Sequence, residues 1–268
     1  MLCSEIITQI EKTYPKEAAL GFDNVGLLAG RGEKDVKRIL LALDATDEVV
    51  EKAVQVKADL LITHHPLIFS AMKSVTDQDF IGRRVLKLIQ NDISYYAMHT
   101  NYDVLGMADL VANTLGLQET EVLDVTWEKD GHPEGIGRIG RVPRRMTLEE
   151  CCRYVKEQLH LEHVKVFGDP EKEICCMAVS PGSGKSAVNP AVLKGADVLV
   201  TGDIGHHEGL DAVAQELAVI DAGHYGTEYF FIRDMERFLK REPGGNELEV
   251  LTQKAEIAVG FGILFIGL

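Results

Sequence analysis

Uninterrupted apolar runs recur along the chain at residues 40–43 within 39–44 (ILLALD), at 60–62 and at 198–200. A strand with one wet face alternates apolar and polar positions, whereas a strand covered on both faces reads as continuous Val, Ile and Leu. These runs therefore predict strands of sheets flanked by helices. Two stretches also repeat one order of elements. In the first, ILLALD leads through a short turn into a helix-patterned 48–56, then 58–63, ending at His64 and His65. In the second, 174–180 (ICCMAVS) leads through a Gly/Pro turn and 190–194 into 196–201, with His206 and His207 a few residues on. Each half then adds a strand, 94–98 or 217–220, and an H-x-x-x-acid motif, His99 with Asp103 or His224 with Glu228. Self-similarity of this kind predicts two related α/β units, although any α/β chain alternates such elements.

The polar stretch 127–135 (WEKDGHPEG) is predicted to mark the entry to the second unit. A helix over 147–159 follows, with Thr147 as N-cap and Glu150 three residues on, a capping box. If His224 and Glu228 complete the first unit's site, the chain returns to that unit near Asp221. The expected architecture is α/β: two similar domains with mixed sheets flanked by helices and a metal cleft between them. Residues 1–126 plus 221–268 form a discontinuous metal-binding domain, and 127–220 the second. The apolar run 257–268 is expected as a terminal strand broken by Gly260 and Gly262; it falls short of the roughly 20 residues that cross a bilayer.

Ligands of open α/β sheets bind beyond the carboxyl ends of the strands, and three motifs sit at such ends: Thr63-His64-His65-Pro66, His99 to Asp103, and His224 to Glu228. Buried ionisable groups need partners, and a divalent cation is one; together the motifs look like a two-metal site. In a regular strand His64 and His65 would face opposite ways, but Pro66 breaks the strand, so both imidazoles can turn to one cleft. His224 and Glu228 are four apart and share a face if a helix begins there. Asp103 is the stronger ligand of its motif because a carboxylate can bridge two cations, leaving His99 as a positioning or proton-transfer residue and the candidate catalytic group. Asp203, His206 and His207 are candidates for the substrate side of the cleft; alternatively Asp203 caps a helix starting near Leu210 and the histidines are exposed.

The net charge of -14 argues against a surface that grips a nucleic-acid backbone, though a nucleotide can still enter a cationic metal cleft. The 5 cysteines are Cys3 and two adjacent pairs without C-x-x-C spacing, which reads as packing thiols in a reducing cytoplasm. Residues 1–14 lack an apolar core of signal-peptide length. Two glycine motifs are set aside. Gly135 to Gly140 matches G-x-G-x-x-G, but Arg141-Val142-Pro143-Arg144 follows where a helix should start. In 182–186 (GSGKS), Val179 stands in place of the first glycine of a phosphate-binding loop.

The chain resembles the GTP cyclohydrolase 1 type 2 homologue family, also called the Nif-three-like family. The matches are Phe22-Asp23-Asn24-Val25-Gly26-Leu27-Leu28, Ile62-Thr63-His64-His65-Pro66, His99-Thr100-Asn101-Tyr102-Asp103, Gly135-Ile136-Gly137-Arg138-Ile139-Gly140, Thr201-Gly202-Asp203-Ile204 with His206-His207, and His224-Tyr225-Gly226-Thr227-Glu228. Phe22 stands where the family commonly has Trp. The resemblance implies a dinuclear centre with His64, His65, Asp103, His224 and Glu228 as ligands, and a homohexamer built as a trimer of dimers. The expected activity is hydrolysis of a nucleotide or small phosphorylated substrate, by cyclohydrolase-like ring opening or phosphodiester cleavage, with two Zn, Mn or Fe ions. The alternative is a metal-storage, metal-delivery or regulatory protein without turnover.

Overall fold

The computed structural model describes residues 1–254 and the backbone of 264–266. The chain divides into two compact units, Met1–Tyr102 with Phe231–Glu256, and Asp103–Phe230 with Ile257–Leu268. The described residues form twelve strands, numbered β1 to β12 in chain order.

The first unit is a five-stranded mixed sheet in the order β1-β4-β3-β2-β11. β2 (Arg38–Ala42), β3 (Leu60–Thr63), β4 (Ser94–Ala97) and β11 (Glu249–Thr252) run parallel, and β1 (Gly26–Ala29) closes one edge antiparallel to β4. Ala42 pairs with Thr63 and Thr63 with Ala97, so β2, β3 and β4 end level with one another. Leu40, Leu61 and Tyr95 pack in one cluster with Val49, Val50 and Ala53 of the helix Asp47–Gln55 and Val85 and Leu88 of the helix Phe80–Gln90. The first helix starts where the Thr46 side chain accepts from Val49 N, and the second where Asp79 accepts from Gly82 N at 2.8 Å.

The second unit is a seven-stranded mixed sheet in the order β12-β7-β10-β9-β8-β6-β5. Its parallel centre is β8 (Glu173–Ser183), β9 (Val198–Gly202) and β10 (Ala218–Asp221). Successive residues of these strands point to different cores. Met177, Val179, Val198, Val200 and Ile220 pack with Leu148, Cys151, Cys152 and Val155 of the helix Leu148–Gln158. Ala178, Leu199 and Val219 pack with Val188 and Ala191 of Val188–Leu193 and Ala212 of His206–Ala214. Both faces are covered, which is why the runs lack alternation. On one side β7 (Lys165–Phe167) is antiparallel to β10 and parallel to β12 (Leu264–Ile266); on the other, β6 (His132–Thr147) and β5 (Gln118–Lys129) extend the sheet from β8.

Residues 127–135 do not mark the entry to the second unit but lie inside it. They form the tip of the β5–β6 hairpin, where Asp130 (φ 51°) and Gly131 (φ 81°) make the turn. Asp-Gly with both residues left-handed matches the right-handed twist of the flanking strands, so polar, Gly-rich character here marks a hairpin. Residues 103–126, drawn in by the pairing of β6 with β8, and residues 221–230 fall in the second unit, where the sequence pattern places both with the first. The capping box is present, with Thr147 N donating to Glu150 Oε2 at 3.0 Å and Glu150 N to Thr147 Oγ1 at 3.3 Å. Of the terminal run, 264–266 form a strand, while Gly260 and Gly262 lie outside the described residues.

Candidate metal-binding residues

In the first unit, His64 and His65 follow β3 directly and His99 lies two residues beyond β4, so the level strand ends bring three imidazoles together. The buried Tyr95 hydroxyl lies 2.7 Å from Thr63 Oγ1 and accepts from Leu67 N at 2.7 Å, fixing the bend through Pro66. His64 Nδ1 is 3.0 Å from the Met98 carbonyl, His65 Nδ1 is 2.7 Å from Asp44 Oδ1, and His99 Nδ1 is 2.9 Å from Asp23 Oδ1. A carbonyl or carboxylate oxygen accepts, so each Nδ1 carries a hydrogen, which leaves Nε2 as the nitrogen free to ligate whenever the ring is neutral. This is how metal-ligating histidines are held. One ring nitrogen from each of the three lies within 4.8 Å of the others.

Asp23 is the anchor of His99. Its carboxylate also accepts from Thr100 N at 2.9 Å and Thr100 Oγ1 at 2.6 Å. Burial raises its pKa, but the bonds from His99 and Thr100 and the His99 charge outweigh that and hold it at about 2.

In the second unit, His224 and Glu228 occupy the single turn His224–Glu228 just after β10. His224 Nδ1 is 2.6 Å from Asp203 Oδ2 and Nε2 is 3.2 Å from Glu228 Oε2. Asp203 follows β9 in a left-handed conformation (φ 56°) that aims its carboxylate across to His224. The hydrogen bond with Glu228 raises the His224 pKa most, burial opposes it, and the Glu228 and Asp203 charges bring it to about 9. Positive charge is thus favoured at the buried Glu228 carboxylate. A cradle is built for that carboxylate: Gly182, at φ +74°, leaves no Cβ where one would meet Glu228 Oε1 at 2.3 Å, and Gly182 N donates to Thr227 Oγ1 at 3.0 Å. Asp103 opens the π-helical segment Asp103–Met107, a geometry frequent at functional sites. One of its carboxylate oxygens lies within 4.8 Å of one of Glu228. Carboxylates so close repel unless a cation sits with them.

The donors are imidazole nitrogens and carboxylate oxygens, a set that suits Zn, Mn or Fe. The histidines and acids read from the sequence as ligands therefore fall into two groups, His64 and His65 with His99 in one unit, and Asp103, His224 and Glu228 in the other. Asp203 lies beside this second group, holding His224. It does not cap a helix at Leu210, since that helix starts at His206 with Gly205 as its N-cap. His206 and His207 are exposed on its first turn, their rings 5.3 Å apart. A cavity of about 790 Å³ in this unit is lined by His160, His163, Lys165, Asp203, His224 and Tyr225. The roles of Asp23, Asp44 and Gly182 were missed by sequence reasoning; the one signal for Asp44 is that ILLALD ends on an acid at the same level as His65.

The glycine motifs carry no nucleotide loop. Residues 135–140 lie in β6, with the Arg138 guanidinium bound by Asp109 and Glu134. Lys185, after β8, pairs with Glu208 at 2.7 Å.

A model of the Duf34/NIF3 (NGG1p interacting factor 3) family matches residues 1–257. The chain is 37% identical over 222 residues to a GTP cyclohydrolase 1 type 2 homolog of Clostridium acetobutylicum, covering 82% of each chain. It is 34% identical over 263 residues to the protein of the same name from Streptococcus pneumoniae, covering 95% of this chain and 97% of that one. Among solved structures, a Bacillus cereus protein related to NIF3 superposes with a TM-score of 0.88 at 27% identity, covering 97% of this chain and 98% of the other. With the fold, the motif order and the family model in agreement over nearly its whole length, this chain belongs to the Duf34/NIF3 family.

Proposed function

We propose that the chain is a metal-dependent hydrolase of a nucleotide or related small phosphorylated compound, with His64, His65, Asp103, His224 and Glu228 as ligands of two divalent ions. The observation that carries this reading is the shared posture of the histidines. His64, His65, His99 and His224 each meet an oxygen acceptor at Nδ1 within 2.6 to 3.0 Å. Four imidazoles oriented alike at strand ends are the arrangement metal binding requires. Divalent ions there supply activation of water and neutralisation of charge on the substrate.

The protein's own groups do the rest. Glu228, held against Gly182, and Asp103 contribute negative charge that keeps cations in place. Asp44, Asp203 and the Met98 carbonyl keep His65, His224 and His64 in the ligating tautomer. His99 is the proton-transfer group: Asp23 stays ionised, holds Nδ1–H and stabilises the imidazolium, so Nε2 can take up and return a proton. The homohexamer belongs to the same reading, and sedimentation of the purified chain tests it.

The test of turnover is mass-spectrometric detection of product after the Mn- or Zn-loaded protein is incubated with a panel of nucleotides and short oligonucleotides. A product formed by the intact protein and not by Asp103→Ala supports the hydrolase and shows whether a ring or a phosphodiester is cut. No product from a protein with its metal bound overturns the hydrolase in favour of storage, delivery or regulation.

A further inference from the structure

Among the exposed large apolar side chains of the first unit, Phe22 and Phe69 are 63% and 50% exposed and lie against each other, ring centroids 6.2 Å apart at 46°. Phe80, also exposed, is covered by the Arg84 guanidinium at 5.0 Å. The Phe22–Phe69 pair is instead continuous with the histidine group. The Phe69 ring is 6.4 Å from that of His99, and Phe22 precedes Asp23, which holds His99 Nδ1.

The two loops that carry the rings are fixed to each other and to the group. Asn24 Nδ2 donates to the Ile68 carbonyl at 2.5 Å, Leu20 N donates to Thr100 Oγ1 at 2.8 Å, and Asp23 N donates to the Leu20 carbonyl at 2.9 Å. Each tie is the immediate neighbour, or within two residues, of one of the phenylalanines. The rings are therefore positioned relative to His99 by a bonded frame.

We infer that Phe22 and Phe69 form the platform on which the planar heteroaromatic ring of the substrate, a nucleobase, stacks at the edge of the histidine group. The inference rests on the proposed nucleotide reading for the rest of the substrate, but the stacking stands on its own geometry. At 6.2 Å and tilted, the rings are too close to sandwich a base between them, since two stacking gaps of about 3.5 Å are needed. The base lies on their outward faces. A heteroaromatic ring suits an open rim better than an alkyl chain does, because its faces stack on the phenyl rings while its polar edge stays in water. Every base has such faces, so the platform selects for the presence of a base and little for its identity.

The test compares ligands with and without a base: guanosine and adenosine against ribose 5-phosphate, by saturation-transfer NMR and titration calorimetry on the metal-loaded protein. Phe22→Ala and Phe69→Ala are each expected to weaken nucleoside binding at least about fivefold and to leave ribose 5-phosphate affinity and metal content unchanged. Phe22→Trp, which keeps the platform, is expected to bind nucleosides as well as the native chain or better. Nucleoside affinity equal in the native and both alanine proteins overturns the inference, as does no nucleoside binding by the native protein. A change in sedimentation with nucleoside affinity unaffected also overturns it, in favour of an interface between copies. Nucleotide turnover with unaltered stacking variants sinks the platform alone; platform-dependent binding without turnover sinks only the hydrolase.

Discussion

Asp23 shows how one buried carboxylate is used twice, once to bind the Thr100 backbone and hydroxyl and once to hold His99. Its folded pKa of about 2 lies below the ordinary value of about 3.9. A depressed carboxylate contributes stability that is complete above the unfolded value and lost as pH falls through the folded one. Asp23→Asn should therefore cost on the order of 2 kcal/mol at pH 7, in urea unfolding, with the difference from the native chain shrinking between about pH 4 and pH 2. A difference that stays constant over that window would show that the carboxylate charge is not the cause. Gly182 makes the complementary prediction. An added Cβ would stand 2.3 Å from Glu228 Oε1 and 3.5 Å from His224 Nε2, in a backbone conformation that side chains rarely adopt. Gly182→Ala is expected to displace Glu228 and lower bound metal at least tenfold at limiting concentration, read by elemental analysis, while circular dichroism stays native. Neither position could be found from the sequence, because Asp23 is 76 residues from His99 and Gly182 is 46 from Glu228.

The strand ends were legible at the level of elements. Continuous runs such as 60–62 and 198–200 are fully buried strands, the second packed against helices on both faces, and His64, His99 and Asp203 lie within two residues of the ends of β3, β4 and β9. The β5–β6 hairpin was not. Its polar positions 118–121, 124 and 126 belong to an edge strand exposed along most of its length, so its composition lacks the apolar run of a buried strand, and only Asp130-Gly131 signals the turn. The helix Leu148–Gln158 was legible from its capping box, and the structure has both reciprocal bonds. Thr147→Ala should lower stability by about 1 kcal/mol, seen as a fall in denaturation midpoint with unchanged slope. No change in midpoint would mean that burial of Leu148, Cys151, Cys152 and Val155 alone holds this helix.

For the whole molecule, the family and the α/β class follow from the sequence, and the comparisons agree with both. Among the described residues no helix is long and apolar enough to cross a membrane. The unit boundaries needed the pairing of β6 with β8, a contact that no local pattern encodes, and so did the placement of Asp103 with the second unit. The proposed function rests on His64 and His65 in one unit and Asp103, His224 and Glu228 in the other each ligating a divalent ion. The most direct measurement is metal content per chain by inductively coupled plasma mass spectrometry after Mn or Zn loading and desalting, for the native chain and for His64→Ala, Glu228→Ala and His206→Ala. Two ions are expected in the native chain and in His206→Ala, whose ring is exposed on the first turn of the helix His206–Ala214, and fewer in both other variants. Full metal content in both His64→Ala and Glu228→Ala would contradict that ligand assignment.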